Sequence, residues 1–330
     1  MHAPEFRPEF WANRDSGLAR LLQPLACAWT LAGRARRALA RPSRVPVPVI
    51  CIGNLVAGGA GKTPVTIALA RALVERGVAV HILTRGYGGR EAGPLCVDPA
   101  RHGFADVGDE ALLLAREAPT WLARDRVAGA KAAVELGAKV ILMDDGFQNP
   151  SLTKDLSFIV IDGGFGFGNG RVMPAGPLRE LLTDGLARAN AAILIGKDDT
   201  GVATALPASL SLHRARFVPE AGGEAIAGRA VVAFAGIGRP EKFFATVKAL
   251  GATIKAAHAF PDHHPYTPDE VMRLVEAARA ADAVLITTDK DAVRLPPEAR
   301  AMVHVLKIAL AWDDPANPDR LITPILDRLQ

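Results

Sequence analysis

An apolar, β-branched run from Val47 to Ile52 leads through Val56 and Ala57 into the turn Gly58-Gly59-Ala60-Gly61 and then Lys62-Thr63. Beyond it Val65, Ala68, Leu69, Ala72 and Leu73 recur at helical spacing until Gly77 stops the pattern. The run predicts a buried strand and the spacing an amphipathic helix, with Pro64 in the first turn, where a missing N–H costs nothing. Strand, glycine turn and helix start together make an anion cradle. Glycines let backbone N–H groups converge on phosphate, and the helix N-terminus adds its positive dipole end. In such a cradle Lys62 reaches the β- and γ-phosphates and the Thr63 hydroxyl ligates Mg²⁺. The pattern G-x-x-x-x-G-K-[ST] would put a glycine at position 56, where valine stands, so Gly58 and Gly59 are expected to supply the flexibility. A purely structural glycine turn is the alternative. The residues 56–63 are the candidate nucleoside triphosphate site.

Further apolar runs follow at Val78 to Leu83, Lys139 to Met143, Leu156 to Ile161 and Ala191 to Ile195, with helical patterns between several of them. Strands alternating with helices predict an α/β fold, with a mostly parallel sheet flanked by helices. Near 221–228 the composition turns to Gly, Ala and Glu, a candidate linker, and a second α/β unit starts at Ala230. The expected organisation is an N-terminal helical segment at 1–45, a phosphate-loop core at 46–225 and a smaller α/β/α unit at 226–330. With 330 residues, 49% of them hydrophobic, the chain has material for two cores. Three scattered cysteines, Cys27, Cys51 and Cys96, lack metal-ligand spacing and argue for a reducing compartment. The opening MHAPEFRPEF has no basic region leading into an apolar core, so no signal peptide is expected.

Residues Phe10 to Arg41 are unusual. The run from Leu21 to Ala32 is strongly apolar, interrupted by Gln23 and Pro24 and too short to span a bilayer. Trp11, Trp29 and the cluster Arg34, Arg36, Arg37 and Arg41 lie beside it. Apolar residues, tryptophans and arginines on adjoining helices suit an interfacial membrane contact; equally, the helices could cover the sheet and leave the arginines solvated. The formal net charge of +4 suits an anionic substrate or lipid surface and proves neither.

Carboxylates and loops mark the remaining chemistry. Asp144-Asp145-Gly146-Phe147-Gln148 ends an apolar strand downstream of the phosphate loop, where a Mg²⁺-organising carboxylate belongs. The glycine-rich loop with Arg85 and Tyr87, and the longer one running through Asn169 and Arg171 to Arg179 and Glu180, are candidates for substrate contact. Asp109 stands in the first turn of a predicted helix, where an acidic residue is often only a cap. Asp262-His263-His264 could be a metal site, a proton relay or a plain loop. No cysteine or further histidine completes a metal cage, so proton handling is the better functional reading, and local sequence does not choose between His263 and His264.

The segments GNLVAGGAGKTP, LTRGYGGR, VGDEALLLA, DDGFQN, NGRVMPAGPLREL, AFAGIGRPEKFF, FPDHHPYT and TTDKDAVRLP occur in an order that closely resembles the tetraacyldisaccharide 4′-kinase (lipid A 4′-kinase) family, from about residue 47 to 296. The resemblance implies ATP- and Mg²⁺-dependent phosphorylation of the 4′-hydroxyl of a lipid A disaccharide 1-phosphate precursor. It implies an enzyme on the cytoplasmic face of the inner membrane, with no nucleic-acid partner and no obligate protein partner, whose two α/β/α units are joined by a hairpin-like linker. By motif, it implies Lys62 and Thr63 on phosphates and Mg²⁺, Asp144, Asp145 and Gln148 around the metal, and Glu180 as an auxiliary acid near it. It implies Asp109 as base with His263 as its partner. From the loops themselves, Arg85, Tyr87, Asn169, Arg171 and Arg179 are the expected substrate residues.

A nucleotide switch or metallochaperone-type GTPase is the competing reading, because Gly196-Lys197-Asp198-Asp199 faintly matches the [NT]KxD guanine motif. Glycine replaces the base-reading residue, and a switch has no use for the apolar, arginine-flanked start.

Overall fold

The structure, a computed structural model, describes residues 8–220 and 223–329; residues 221–222 of the expected linker and 1–7 of the N-terminal segment lie outside the described residues. The strands are β1 (Val49–Gly53), β2 (Val80–Thr84), β3 (Leu95–Cys96), β4 (Thr120–Leu122), β5 (Val140–Asp144), β6 (Leu156–Asp162), β7 (Ala191–Ile195), β8 (Ser211–Pro219), β9 (Ala230–Ala235), β10 (Thr253–Ala259), β11 (Val284–Thr288), β12 (His304–Leu306) and β13 (Ile308–Trp312). They form a nine-stranded sheet, β13-β8-β7-β6-β1-β5-β2-β4-β3, and a four-stranded sheet, β10-β9-β11-β12. Only the edge pairs β13–β8 and β3–β4 are antiparallel; the other pairs are parallel.

β1, β2, β5 and β7 are buried along their whole length. Helices covering both faces of a parallel sheet produce such continuous apolar runs, which is why these strands are legible in sequence. On one face α3 (Lys62–Glu75) packs Val65, Leu69 and Leu73 against Ile50, Ile52, Ile82 and Leu142. Leu321, Ile322 and Ile325 of the C-terminal helix Asn317–Leu326 complete that layer. On the other face Cys51, Ile141 and Met143 meet Ala130 and Ala133 of the helix Arg126–Glu135. The small sheet carries its own apolar clusters, one around Phe234 and Leu274 and one around Ala233 and Phe243.

The expected unit 226–330 does not hold together past Leu306. β13 turns back and pairs with β8, Ile308 opposite Pro219 and Trp312 opposite Ala215, and the last helix buries its apolar stripe on α3. The antiparallel ribbon β8–β13 is thus where the chain leaves the large sheet and returns to it. Only Ala215 of β8 is buried, so no apolar run announces the strand.

At the N-terminus a short 3₁₀ turn (Glu9–Trp11) precedes α1 (Gly17–Leu21) and α2 (Gln23–Leu39), which break at Leu22 with Pro24 in the first turn of α2. Among the described residues no helix is long and apolar enough to cross a membrane. Leu18, Leu21, Leu25 and Trp29 recur at i, i+3, i+7 and i+11 and are 50%, 76%, 59% and 51% exposed, an apolar stripe left uncovered among the described residues. The arginines behave differently from a free basic patch. Arg34 and Arg37 bind Asp184, Arg37 also reaches Glu180, and Arg36 donates to the Gln148 carbonyl. They dock α2 onto the large sheet because their carboxylate partners stand beneath it.

Candidate active site

Both sheets change direction at a central strand: β1 is flanked by β6 and β5, and β9 by β10 and β11. In open α/β sheets such switch points gather ligands beyond the carboxyl ends of the strands. A cleft of about 650 Å³ lies there, lined by Gly58 to Thr63, Glu110 and Asp162 from the large sheet and by Arg239, Lys242, Asp262 and Lys290 from the small one.

A glycine turn joins β1 to α3 as the sequence predicts, with one difference. Gly58 and Gly61 hold φ values of 95° and 90°, the left-handed region that glycine enters without strain, and Gly61 caps α3. A Cβ on Gly61 would also lie 2.6 Å from Ile195 and 2.8 Å from Phe217. Val56 is a buried core residue bridged to Leu178, and the Ala57 amide donates to the Pro177 carbonyl. The turn therefore starts two residues later than the usual glycine pattern, and the Val56 side chain faces the core instead of a nucleotide.

β1 and β5 are paired with Ile52 opposite Asp144, which sets the aspartate beside the start of α3. Asp144 accepts from the Thr66 hydroxyl at 2.9 Å and lies 3.5 Å from Thr63 Oγ1. Burial, reinforced by the nearby Glu110, pushes its carboxyl up to about 7 against the pull of Lys62. Asp145 turns into the left-handed region at φ 49° and meets Lys62 at 3.5 Å and Arg179 at 2.8 Å. Burial would raise it too, but Lys62 and then Arg179 outweigh burial and hold it at about 2. Adjacent carboxylates thus have opposite protonation tendencies.

Glu180 is not free to serve as an auxiliary metal acid. It is 3% exposed and held by Arg37 at 3.2 Å, by Arg188 at 2.8 Å and by the Gln148 amide at 3.2 Å. Two guanidiniums already neutralise it, and through Arg37 it anchors α2. Gln148 also donates to the Asn54 carbonyl and receives Arg179, so it ties the phosphate loop to the 177–180 loop.

Asp109 and His263 are brought together. His263 Nδ1 is 2.9 Å from Asp109 Oδ2, and the imidazole lies 5.4 Å from the Tyr87 ring. His264 points elsewhere, to Glu270 at 3.2 Å and stacked on Phe260, so geometry resolves the choice that local sequence leaves open. The deciding device is the backbone: His263 sits at φ 59°, which turns its side chain opposite to its neighbour's. Burial alone would raise the Asp109 carboxyl. The His263 hydrogen bond and the charges of Lys290 and Arg294 outweigh burial and hold it below the ordinary carboxylate range.

The expected substrate residues divide. Arg85 and Tyr87 are exposed on the loop after β2, and Arg179 stands at Asp145. Asn169 is buried and spent on the fold, donating to the Phe10 and Ala175 carbonyls, and Arg171 binds Gln23 of α2. Sequence reading missed the cations of the small sheet. Arg239 and Lys242 both clasp Asp162 at the end of β6, and Lys290 stands 3.5 Å from Glu110 and 3.8 Å from Asp262. The motifs GIGRPEKFF and TTDKDAVRLP contain them, but nothing local says which carboxylates they meet. Arg126, 3% exposed with its Nε lacking a partner, also escaped notice.

In the guanine-reading alternative the base-reading aspartate of [NT]KxD falls at Asp199, which is half exposed and paired with the exposed Lys197 at 3.2 Å, while Asp198 accepts from the Val202 and Ala203 amides at the start of a short helix.

A sequence model of the family described as tetraacyldisaccharide-1-P 4′-kinase matches residues 18–327. The chain is 57% identical over 323 residues to a tetraacyldisaccharide 4′-kinase of Paramagnetospirillum magneticum, covering 98% of each chain. It is 56% identical over 329 residues to one of Gluconacetobacter diazotrophicus, covering 99% of each. Among solved structures it is similar to a crystal structure of LpxK from Aquifex aeolicus in complex with ATP. The TM-score is 0.76 at 27% identity, covering 93% of this chain and 99% of that one.

Proposed function

This chain belongs to the tetraacyldisaccharide-1-P 4′-kinase family, and from that premise we propose how its side chains divide the work of an ATP-dependent lipid A 4′-kinase. The enzyme is a phosphotransferase, so its task is positioning and electrostatic stabilisation more than covalent chemistry. In our reading the backbone N–H groups of residues 58–63 cradle the ATP phosphates, and Lys62 neutralises the group in transfer. The Thr63 hydroxyl and the Asp144 carboxylate, 3.5 Å apart, are a hard oxygen donor pair suited to Mg²⁺ completed by phosphate oxygens and water. Among the described residues no group of three or more His, Cys, Asp or Glu is placed to hold a metal alone, which fits a metal that arrives with nucleotide. When bound, Mg²⁺ supplies charge neutralisation across the β- and γ-phosphates. Asp145 holds Lys62 and Arg179 in place at the cradle's edge.

Asp109 and His263 act as one unit on the acceptor. The 4′-hydroxyl gives its proton to the pair as its oxygen bonds to the γ-phosphorus and the bond from that phosphorus to the β,γ-bridging oxygen breaks. ADP leaves with that oxygen and its charge, while the carboxylate holds the charge of the pair and the imidazole orients it. The single observation that carries this reading is the 2.9 Å contact between them, made across the two sheets next to Glu110 and Asp262, which line the phosphate cleft. Closure of the sheets on each other assembles the pair, so chemistry waits for the closed form.

The acceptor carries acyl chains, and the uncovered stripe Leu18-Leu21-Leu25-Trp29 gives the enzyme a face for the membrane surface in which that lipid sits. The Trp29 indole donates to the Arg179 carbonyl at 3.1 Å, so the stripe abuts the residue that reaches Asp145. A substrate entering from the inner leaflet on the cytoplasmic side, where ATP is found, would pass along it. The decisive assay measures transfer to the lipid A disaccharide precursor with ATP and with GTP. Transfer from ATP that requires the lipid supports the reading, and nucleotide hydrolysis indifferent to lipid would overturn it.

A further inference from the structure

The motif TTDKDAVRLP ends in a residue that the proposed chemistry leaves unused. Arg294 is 1% exposed, and its guanidinium makes five contacts. Nε lies 3.4 Å from Asp109 Oδ2 and donates to the Lys290 carbonyl at 3.1 Å. Nη2 donates to the Gly236 carbonyl and to Asp291 Oδ1, both at 2.9 Å, and Nη1 reaches the His264 carbonyl at 3.3 Å. The Gly236 carbonyl also accepts from the His263 amide at 3.1 Å. One guanidinium therefore touches the carboxylate of one sheet and the loop that presents the histidine of the other.

Asp291, itself 0% exposed, closes the arrangement. Its Oδ1 also accepts from the Gly236 amide at 2.8 Å and from the Tyr266 hydroxyl at 2.7 Å. One arginine–aspartate pair thus holds His264 and Tyr266 directly and, through Gly236, the backbone of His263 in its left-handed turn. A buried charge pair is not the cheapest way to fill a core, since apolar residues of similar volume serve as well or better. The fork of five N–H donors does what no apolar residue does: it fixes several acceptors at set angles.

We propose that Arg294 is a positioning residue of the Asp109–His263 pair, locking the carboxylate and the histidine loop into one geometry when the two sheets meet. This rests on the reading of that pair as the proton-handling unit. The charged groups around Asp109 are His263 and Asp262 from the loop after β10, Lys290 and Asp291 from the helix Asp289–Ala292, Arg294 just beyond it, and Glu110 on Asp109's own helix. Arg294 sits nearer to Asp109 than Lys290 does, at 3.4 Å against 4.0 Å, and lacks Lys290's exposure to solvent. Its removal should make the carboxylate easier to protonate and leave the histidine loop unpinned.

The test uses the full chain with ATP and the lipid A disaccharide precursor and compares Arg294→Met, Arg294→Lys, Asp109→Asn and the Asp109→Asn/Arg294→Met pair. Arg294→Met should cut single-turnover rate about a hundredfold with KM for ATP changed less than about twofold, and should move the acid limb of the rate profile up by about one pH unit. Arg294→Lys keeps the charge without the fork, so its acid limb should stay in place while the rate remains about tenfold low. In the Asp109→Asn background, Arg294→Met should add less than about a twofold loss, because the residue it positions is already disabled. An unmoved acid limb in Arg294→Met, or the same hundredfold loss repeated on Asp109→Asn, would overturn the proposal. Should Arg294→Met not fold, wild-type turnover in Arg294→Lys would overturn it equally. Full activity in Asp109→Asn would instead remove the pair reading on which it rests.

Discussion

His263 Nδ1 lies 2.9 Å from Asp109 Oδ2 although the two residues are 154 positions apart in the chain and hang from different sheets. The carboxylate is buried while a quarter of the histidine side chain is exposed, so the pair has one wet edge, on the imidazole. Asp109→Ala should lower the single-turnover rate by about 10²–10⁴-fold, the usual contribution of a positioned acid–base group, with ATP affinity intact. His263→Ala should cost less, and the double variant should be little worse than Asp109→Ala because residues acting as a unit are non-additive. A rapid-quench double-mutant cycle checks this; multiplicative losses would mean independent roles.

Lys62 stands 3.5 Å from Asp145 and has no other acidic partner within ion-pair distance among the described residues, so its charge is directed into the cradle. Lys62→Ala should reduce turnover by about 10²–10³-fold through lost stabilisation of transferring charge. Thermal melting without nucleotide should change little, which separates a catalytic from a folding effect. Near wild-type turnover would refute the cradle assignment.

The N-terminal helices should separate into two functions. Leu18→Asp with Leu21→Asp and Leu25→Asp should abolish sedimentation with anionic vesicles, since each leucine buried in lipid contributes about 1.5–3 kcal/mol. Arg34→Glu with Arg37→Glu should act differently. Those arginines are bound to Asp184 and Glu180, so reversal should undock α2 and expose it to protease before it affects lipid binding. Vesicle binding lost with protease resistance unchanged would return them to the lipid surface.

Asp162 receives both Arg239 and Lys242 from the opposite sheet and is itself nearly buried. Asp162→Asn should weaken closure by about 1–3 kcal/mol, the scale of a typical coupling between distant elements. Small-angle scattering should show a larger radius of gyration for the variant in the absence of nucleotide. An unchanged profile would mean that the remaining cross-cleft pairs, among them Asp109–His263, Glu110–Lys290 and Arg116–Asp289, hold the cleft without it.

Glu180 shows how a local reading goes astray. An acid next to Arg179 on a glycine-rich loop looks available for a cation, yet Arg37 and Arg188 approach it from α2 and from its own side of the fold. One arginine expected to face lipid, Arg37, and the acid expected to face metal are each other's partners.

By itself, the sequence determined the elements whose cause is local. β1, β5 and β7 show as apolar runs because both their faces are covered, and the cradle shows because Gly58, Gly61, Lys62 and Thr63 act within one turn of chain. It also ordered the motifs that carry the family resemblance. Tertiary structure alone decided the pairings. It selected His263 over His264 through a left-handed turn, spent Asn169 on the fold, returned β13 to the large sheet and delivered Arg294 to Asp109. Hydrophobic period and turn chemistry are written within a few residues of where they act. A charge's partner is fixed only when sheet order brings distant chain together, and burial then makes that partner obligatory.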